Sequence, residues 1–359
     1  MLDRLKNYAA FLVFAVLLWM AWFVWPGAVR ADSTPRLPLA YHTSVLGTDY
    51  ATMVEWENAT SGDLVAAEFG EVLVIPSGTY TEFVELFGST TNADYFRVVM
   101  AAEGATVNFV PTQLSHVGDY GSAFNYTVAI WEPYSKVIGL NIDWAGLDGI
   151  HNDWLKTPIL IHSDVPHVRI IGCAVKNTHA PSYIGAGIAA FSAGTTDTGI
   201  INCAVGACDY GIALFNGSDG FLYNNTTKGC TTGYYANAST PVAKNCLAAG
   251  NTTDWSGTFT KTTCLDAVPT WATGTDFDID PADTTALGQG TDLSADAAWA
   301  FNYDLHDATR PTLWSIGADD VAAAEPEPEP EAPAVRLRPW AAGPWGAGPW
   351  NGGTTGGWK

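Results

Sequence analysis

One short pattern recurs between Val128 and Ala248, and it limits the chain to very few architectures. It reads Ile-Gly-Leu-Asn-Ile at 138–142, Ile-Gly-Cys-Ala-Val at 171–175, Ile-Asn-Cys-Ala-Val at 201–205, Tyr-Asn-Asn-Thr-Thr at 223–227 and Lys-Asn-Cys-Leu-Ala at 244–248. A second series alternates with it: Tyr-Thr-Val-Ala-Ile-Trp at 126–131, Pro-Ile-Leu-Ile-His at 158–162, Gly-Ile-Ala-Ala-Phe at 187–191, Gly-Ile-Ala-Leu-Phe at 211–215 and Gly-Tyr-Tyr-Ala-Asn at 233–237. The first series repeats at intervals of 33, 30, 22 and 21 residues. Units of that size stack into solenoids, because none can bury an apolar face alone. Taking each segment as a strand, like positions stack about 4.8 Å apart. Three inward ladders follow: Val137, Ile170, Ile200 and Leu222; Leu140, Cys173, Cys203, Asn225 and Cys246; Ile142, Val175, Val205 and Thr227. Arg169 falls on the outward side, where replacement should cost no more than about 0.5 kcal/mol.

With these Ile-x-Cys and Gly-Ile rungs the chain resembles the right-handed parallel β-helix proteins of the pectate-lyase-like superfamily. The resemblance implies an all-β solenoid with a short N-terminal capping helix. Enzymes of that class work in an outward groove, where carboxylates serve as acid and base or hold Ca²⁺ and a basic residue removes a proton or neutralises charge. Two further stretches extend the resemblance. Glu71–Phe109, with the turn Pro-Ser-Gly-Thr-Tyr at 76–80, is similar to the opening coil of secreted and phage-encoded β-helix proteins. The run from Asp276 to Asp319 resembles the closing segment of secreted ones.

The chain divides into an export signal or signal anchor (1–31), a leader and capping helix (32–70), the β-helix (71–265), the closing segment (266–320) and a low-complexity tail (321–359) expected to be disordered. Arg4 and Lys6 precede an apolar run over 9–25, and Val29-Arg30-Ala31 has the small residues of a cleavage site. Both readings place the bulk of the chain outside the cytoplasm, at the cell surface or beyond, and the only membrane contact would be through 9–25 if uncleaved. The capping helix is expected to start at Thr48 or Asp49 and run through Glu57, with Tyr50, Met53 and Val54 on one face. The tail has a stiff Glu-Pro spacer at 325–331, then Gly-Pro-Trp repeats.

A net charge of −21 argues against nucleic acid as a partner, since phosphate binding needs a basic surface. It favours a neutral polysaccharide or cell-surface glycan, or an acidic one bridged by Ca²⁺. Rung alignment places Cys173 over Cys203, Cys246 over Cys264, and Cys208 over Cys230. An exported chain can oxidise such pairs, and Cys208 with Cys230 is the disulfide candidate. The Asp run at 276–281 lacks the EF-hand pattern, with Pro281 and Leu287 where Gly and Glu are needed, so outward Asp alternating with inward Phe277 and Ile279 is preferred.

Chemistry, if present, is expected on the two long loops 143–156 and 176–186. The candidate catalytic residues are Asp143, Asp148, His151, Asp153, Lys176 and His179; Trp154, Tyr183, Asp209 and Tyr210 are candidate substrate contacts. Asn141-Ile142-Asp143 resembles the Asn-x-Asp element of polygalacturonase-like hydrolases, but the paired Asp-Asp, Gly-His-Gly and Arg-x-Lys of that family are absent at the expected rungs. Three readings stay open: a glycan-engaging surface protein, a polysaccharide lyase or glycoside hydrolase, and a structural spacer.

Overall fold

The computed structural model describes residues 37–110, 124–145, 155–162, 164–179, 184–273, 277–306 and 308–320. Its strands form three parallel sheets of nine, eight and nine strands, and the chain passes from the first to the second to the third before starting the next coil. In the coil that opens at Arg169, the three strands are Arg169–Ile171, Ala174–Lys176 and Ile184–Phe191. The expected ladders are present. Val137 pairs with Ile170, Ile170 with Ile200 and Ile200 with Leu222, while Ile142, Val175, Val205 and Thr227 stack in the second sheet. All of these except the threonine belong to one buried apolar core with Leu140, Cys173, Cys203 and Cys246.

One expectation is corrected. Each recurring five-residue segment is two strands in different sheets, with a corner between them. Gly139, Gly172, Asn202, Asn224, Asn245 and Thr263 stack there at φ 71°, 60°, 52°, 53°, 53° and 52°. A left-handed residue reverses the alternation of a strand, and Gly and Asn are the residues that tolerate it. The N–H groups of Gly139, Gly172, Asn202, Asn224 and Asn245 each donate to a carbonyl on the next coil, as from Asn202 to Tyr223 at 3.0 Å and Asn224 to Lys244 at 2.9 Å. The corner is therefore satisfied as well as turned.

Glycine has a different task at the start of the third sheet. A Cβ on Gly187 would lie 2.2 Å from Val205 Cγ1, and one on Gly211 would lie 2.5 Å from the Gly233 carbonyl oxygen. The Gly-Ile series thus marks a close approach of backbone to backbone. Inside the coil, Asn225 replaces part of a ladder: its Oδ1 accepts from Cys203 N at 2.8 Å and its Nδ2 donates to Ile200 O at 2.7 Å. All six cysteines are free thiols. They stack in the three expected pairs with side chains in hydrogen-bonding contact, and burial pushes the thiols of Cys203, Cys208 and Cys246 well above the usual range. Oxidation of Cys208 with Cys230 remains a proposal.

The leader does more than extend. Tyr41–Val45 pairs with Gly70–Ile75 and begins the first sheet. The capping helix is Met53–Thr60, later than expected, with Thr52 and Glu55 forming a capping box; Asp49 instead accepts from Val45 N at 2.7 Å and closes a turn. Met53 and Trp56 enter the core, whereas Val54 is 42% exposed. Beside the helix, fully buried Arg97 donates to Glu132 at 2.6 and 2.7 Å and to Glu57 at 3.0 Å. This network ties helix to coil, because a buried guanidinium needs its carboxylate partners close.

The closing segment runs back over the outside of the coils. Leu293, Trp299, Phe301, Tyr303 and Trp314 cover the outward residues Ile171, Ile201, Phe221 and Tyr223 of the first sheet. Ile279, Ala286 and Ile316 cover Leu247 and Ala249 of the second. Arg169 is corrected accordingly: it is 8% exposed, bonded to Asp197 at 3.0 Å and set 5.0 Å from the Trp299 ring centroid. It faces out of the coil and into the segment that covers it.

Candidate functional site

The two loops singled out in the sequence meet in part. Asp143 and Lys176 occupy the same register position on adjacent strands of the second sheet. Lys176 Nζ lies 3.5 Å from Asp143 Oδ2, while Asp143 Oδ1 accepts from Asn177 Nδ2 at 2.6 Å and Ala145 N at 2.9 Å. One coil further, His179 Nδ1 is 3.0 Å from Asp209 Oδ1. Each described carboxylate thus faces a cation or a donor, an arrangement that holds charge in place. Asp148, His151, Asp153, Trp154 and Tyr183 lie outside the described residues.

Tyr210 leads to a different surface. The third sheet's outward face carries aromatic rings along the axis. The Phe87 and Trp131 ring centroids are 6.4 Å apart, and Trp131 stacks on His162 at 3.6 Å. Further along, Phe191 lies 6.0 Å from Phe215, Phe215 lies 5.2 Å from Tyr235, and Tyr235 lies 5.0 Å from Tyr210. The pleat produces this row: residues two apart share a face, and parallel register stacks Phe191 directly on Phe215. Phe87 is 60% exposed, and Trp131, Phe191, Tyr210 and Tyr235 are half-buried.

Beside Tyr235 the row opens into a pocket of about 540 Å³, lined by Asn237, Ser239, Thr240, Ser256 and Thr258. Ring and hydroxyl side chains therefore meet at one end of the face. The local electrostatics suit a neutral ligand. Burial raises the Tyr210 phenol and lowers His162 to about 4, so both are uncharged at neutral pH.

Of this row, the sequence singles out only Tyr210 as a candidate contact. The signal was present in the second series, whose last column reads Trp131, His162, Phe191 and Phe215. Column alignment, rather than a search for ionisable groups, would have found it.

Three parallel sheets wound coil upon coil define a parallel β-helix. The family model described as right handed beta helix region matches residues 128–267, the regular coils, so this part of the chain is a right-handed β-helix. No curated protein matches the chain, and no solved structure does. Among the described residues, no helix is long and apolar enough to cross a membrane.

Proposed function

We propose that this is an exported β-helix surface protein that engages a neutral glycan along the outward face of its third sheet. The observation that carries the reading is the aromatic row ending at Tyr235, where the ring borders a pocket lined by hydroxyl and amide side chains. Aromatic rings offer flat apolar contact area at small entropic cost, and convergent polar groups supply orientation. A charge of −21 disfavours polyanions and leaves a neutral polysaccharide as the best-matched ligand. Export rests on Arg4, Lys6, the apolar run 9–25 and the Val29-Arg30-Ala31 site.

The test is retention on a panel of immobilised polysaccharides, with chain length of the glycan measured in parallel. Retention without shortening supports a binding protein. The lyase or hydrolase alternative is favoured by one observation, the Asp143–Lys176 juxtaposition at 3.5 Å, and it requires shortening that Lys176→Ala abolishes. Secreted material should begin at Asp32; a full-length, membrane-associated product would instead support retention of 9–25 as an anchor.

A further inference from the structure

Far along the chain from the loops and the aromatic row, the closing segment brings three side chains together from separate turns. Asp278 Oδ1 is 2.9 Å from His306 Nε2, and Asp319 Oδ1 is 3.8 Å from the same nitrogen. One ligand atom from each lies within 4.8 Å of the other two. Ligand atoms on a tetrahedral ion with bonds of about 2.1 Å stand about 3.4 Å apart, so small rotations of the side chains suffice to close around one.

Packing holds the three backbones in place. Each ligand directly follows an apolar residue, Phe277, Leu305 or Ala318, and these three pack in one cluster with Ala174 and Ala204 of the second sheet. Asp319 is further fixed because its Oδ2 accepts from Ile279 N at 2.9 Å. Its other oxygen accepts no hydrogen bond among the described residues, although the residue is only 4% exposed. That oxygen faces His306 Nε2 at ion-pair separation, longer than a hydrogen bond, which leaves its lone pairs turned toward the position an ion would fill. The local charge agrees. Asp278, Asp304, Asp319 and Asp320 cluster there, and the permanent cation among them, Arg310, is bonded to Asp320 at 2.9 Å.

We propose that Asp278, His306 and Asp319 bind a divalent first-row transition-metal ion that ties three turns of the closing segment together where it packs on the second sheet. One imidazole and two carboxylates suit Zn²⁺ or its neighbours better than Ca²⁺, which takes oxygen ligands in larger number. The His306 and Asp278 side chains are 55% and 34% exposed, which leaves a path for the ion and room for water to complete its shell. Binding straps the turns at 278, 306 and 319 together and stabilises the folded state by mass action. The proposal is independent of the glycan reading, since it uses none of the same residues.

The experiment is calorimetric titration of the chelator-treated full chain with Zn²⁺, repeated with Ca²⁺, alongside thermal unfolding. The expected result is one zinc ion per chain, a higher Tm with zinc, and affinity weakened by more than about tenfold in both Asp278→Asn and His306→Gln. Asp278→Asn preserves shape at a partly exposed position, so circular dichroism of that variant separates ligand loss from misfolding. Absence of zinc binding by the parent chain, preference for Ca²⁺, or zinc binding unchanged in both variants would each overturn the proposal.

Discussion

The Arg310 guanidinium donates to the side-chain oxygen of Asn202 at 3.0 Å, while the Asn202 amide donates to Tyr303 O at 2.6 Å. Asn202 is a left-handed corner of the solenoid, so the residue that turns a coil is also the socket that receives the closing segment. Asn245 repeats the arrangement two coils along the same corner, exchanging bonds with Thr291 O at 2.7 Å and Thr291 N at 2.9 Å. Gly at the same corner, as at 139 and 172, turns the chain but offers no such socket.

Replacing Arg310 should therefore do more than remove a charge. Arg310→Leu leaves Asp320 buried without its cation and frees Asn202 and the carbonyls of 317 and 318. The expected cost is about 3–5 kcal/mol, read as a lower urea midpoint. A loss under about 1 kcal/mol would show that the segment is held by apolar cover alone.

The corner itself can be tested where no side chain complicates it. At Gly172, φ is 60° and an added Cβ would approach nothing closer than 3.7 Å, so the cost of substitution is backbone strain. Gly172→Val should destabilise by about 1–2 kcal/mol, whereas Gly172→Asn should be nearly neutral. Equal effects of the two in chemical denaturation would contradict the account.

These corners show how far the sequence could be read. Alternation of Ile170, Cys173 and Val175 specified the solenoid and its inward ladders, because inward positions obey a local rule of spacing. The break lies in the three-residue step from Ile170 to Cys173: left-handed Gly172 interrupts the alternation, leaving Ile171 outward and Cys173 inward, although the five residues read as one strand. Arg169 departs from its expected exposure for a non-local reason, since its cover, Trp299, is 130 positions away in the chain. The site was legible in proportion. Stacking of Asp143 on Lys176 followed from register, but the meeting of Asp278, His306 and Asp319 depends on how an irregular segment folds back, and no periodicity announces that.

Acid should weaken the fold through His162. Burial, opposed in part by Asp164, lowers its pKa from 6.5 to about 4. Above pH 6.5 the imidazole is neutral in folded and unfolded chains alike, and no stability is lost. Between pH 6.5 and 4 the unfolded chain takes up the proton and the folded one does not, so stability falls by about 3 kcal/mol. His162→Phe should remove that part of the slope when urea midpoints at pH 7.5 and 4.5 are compared, and an unchanged slope would refute it.

The central claim is that the aromatic face binds glycan, and the most direct measurement compares the parent chain with Tyr235→Ala on the polysaccharide that the panel identifies. Tyr235 is half-buried and lines the pocket, so truncation removes ring contact while circular dichroism monitors the coil. The account predicts at least about a tenfold rise in Kd, equivalent to about 1.4 kcal/mol, with Lys176→Ala unaffected. Retained affinity in Tyr235→Ala together with loss in Lys176→Ala would contradict it and move the site to the loop carboxylates.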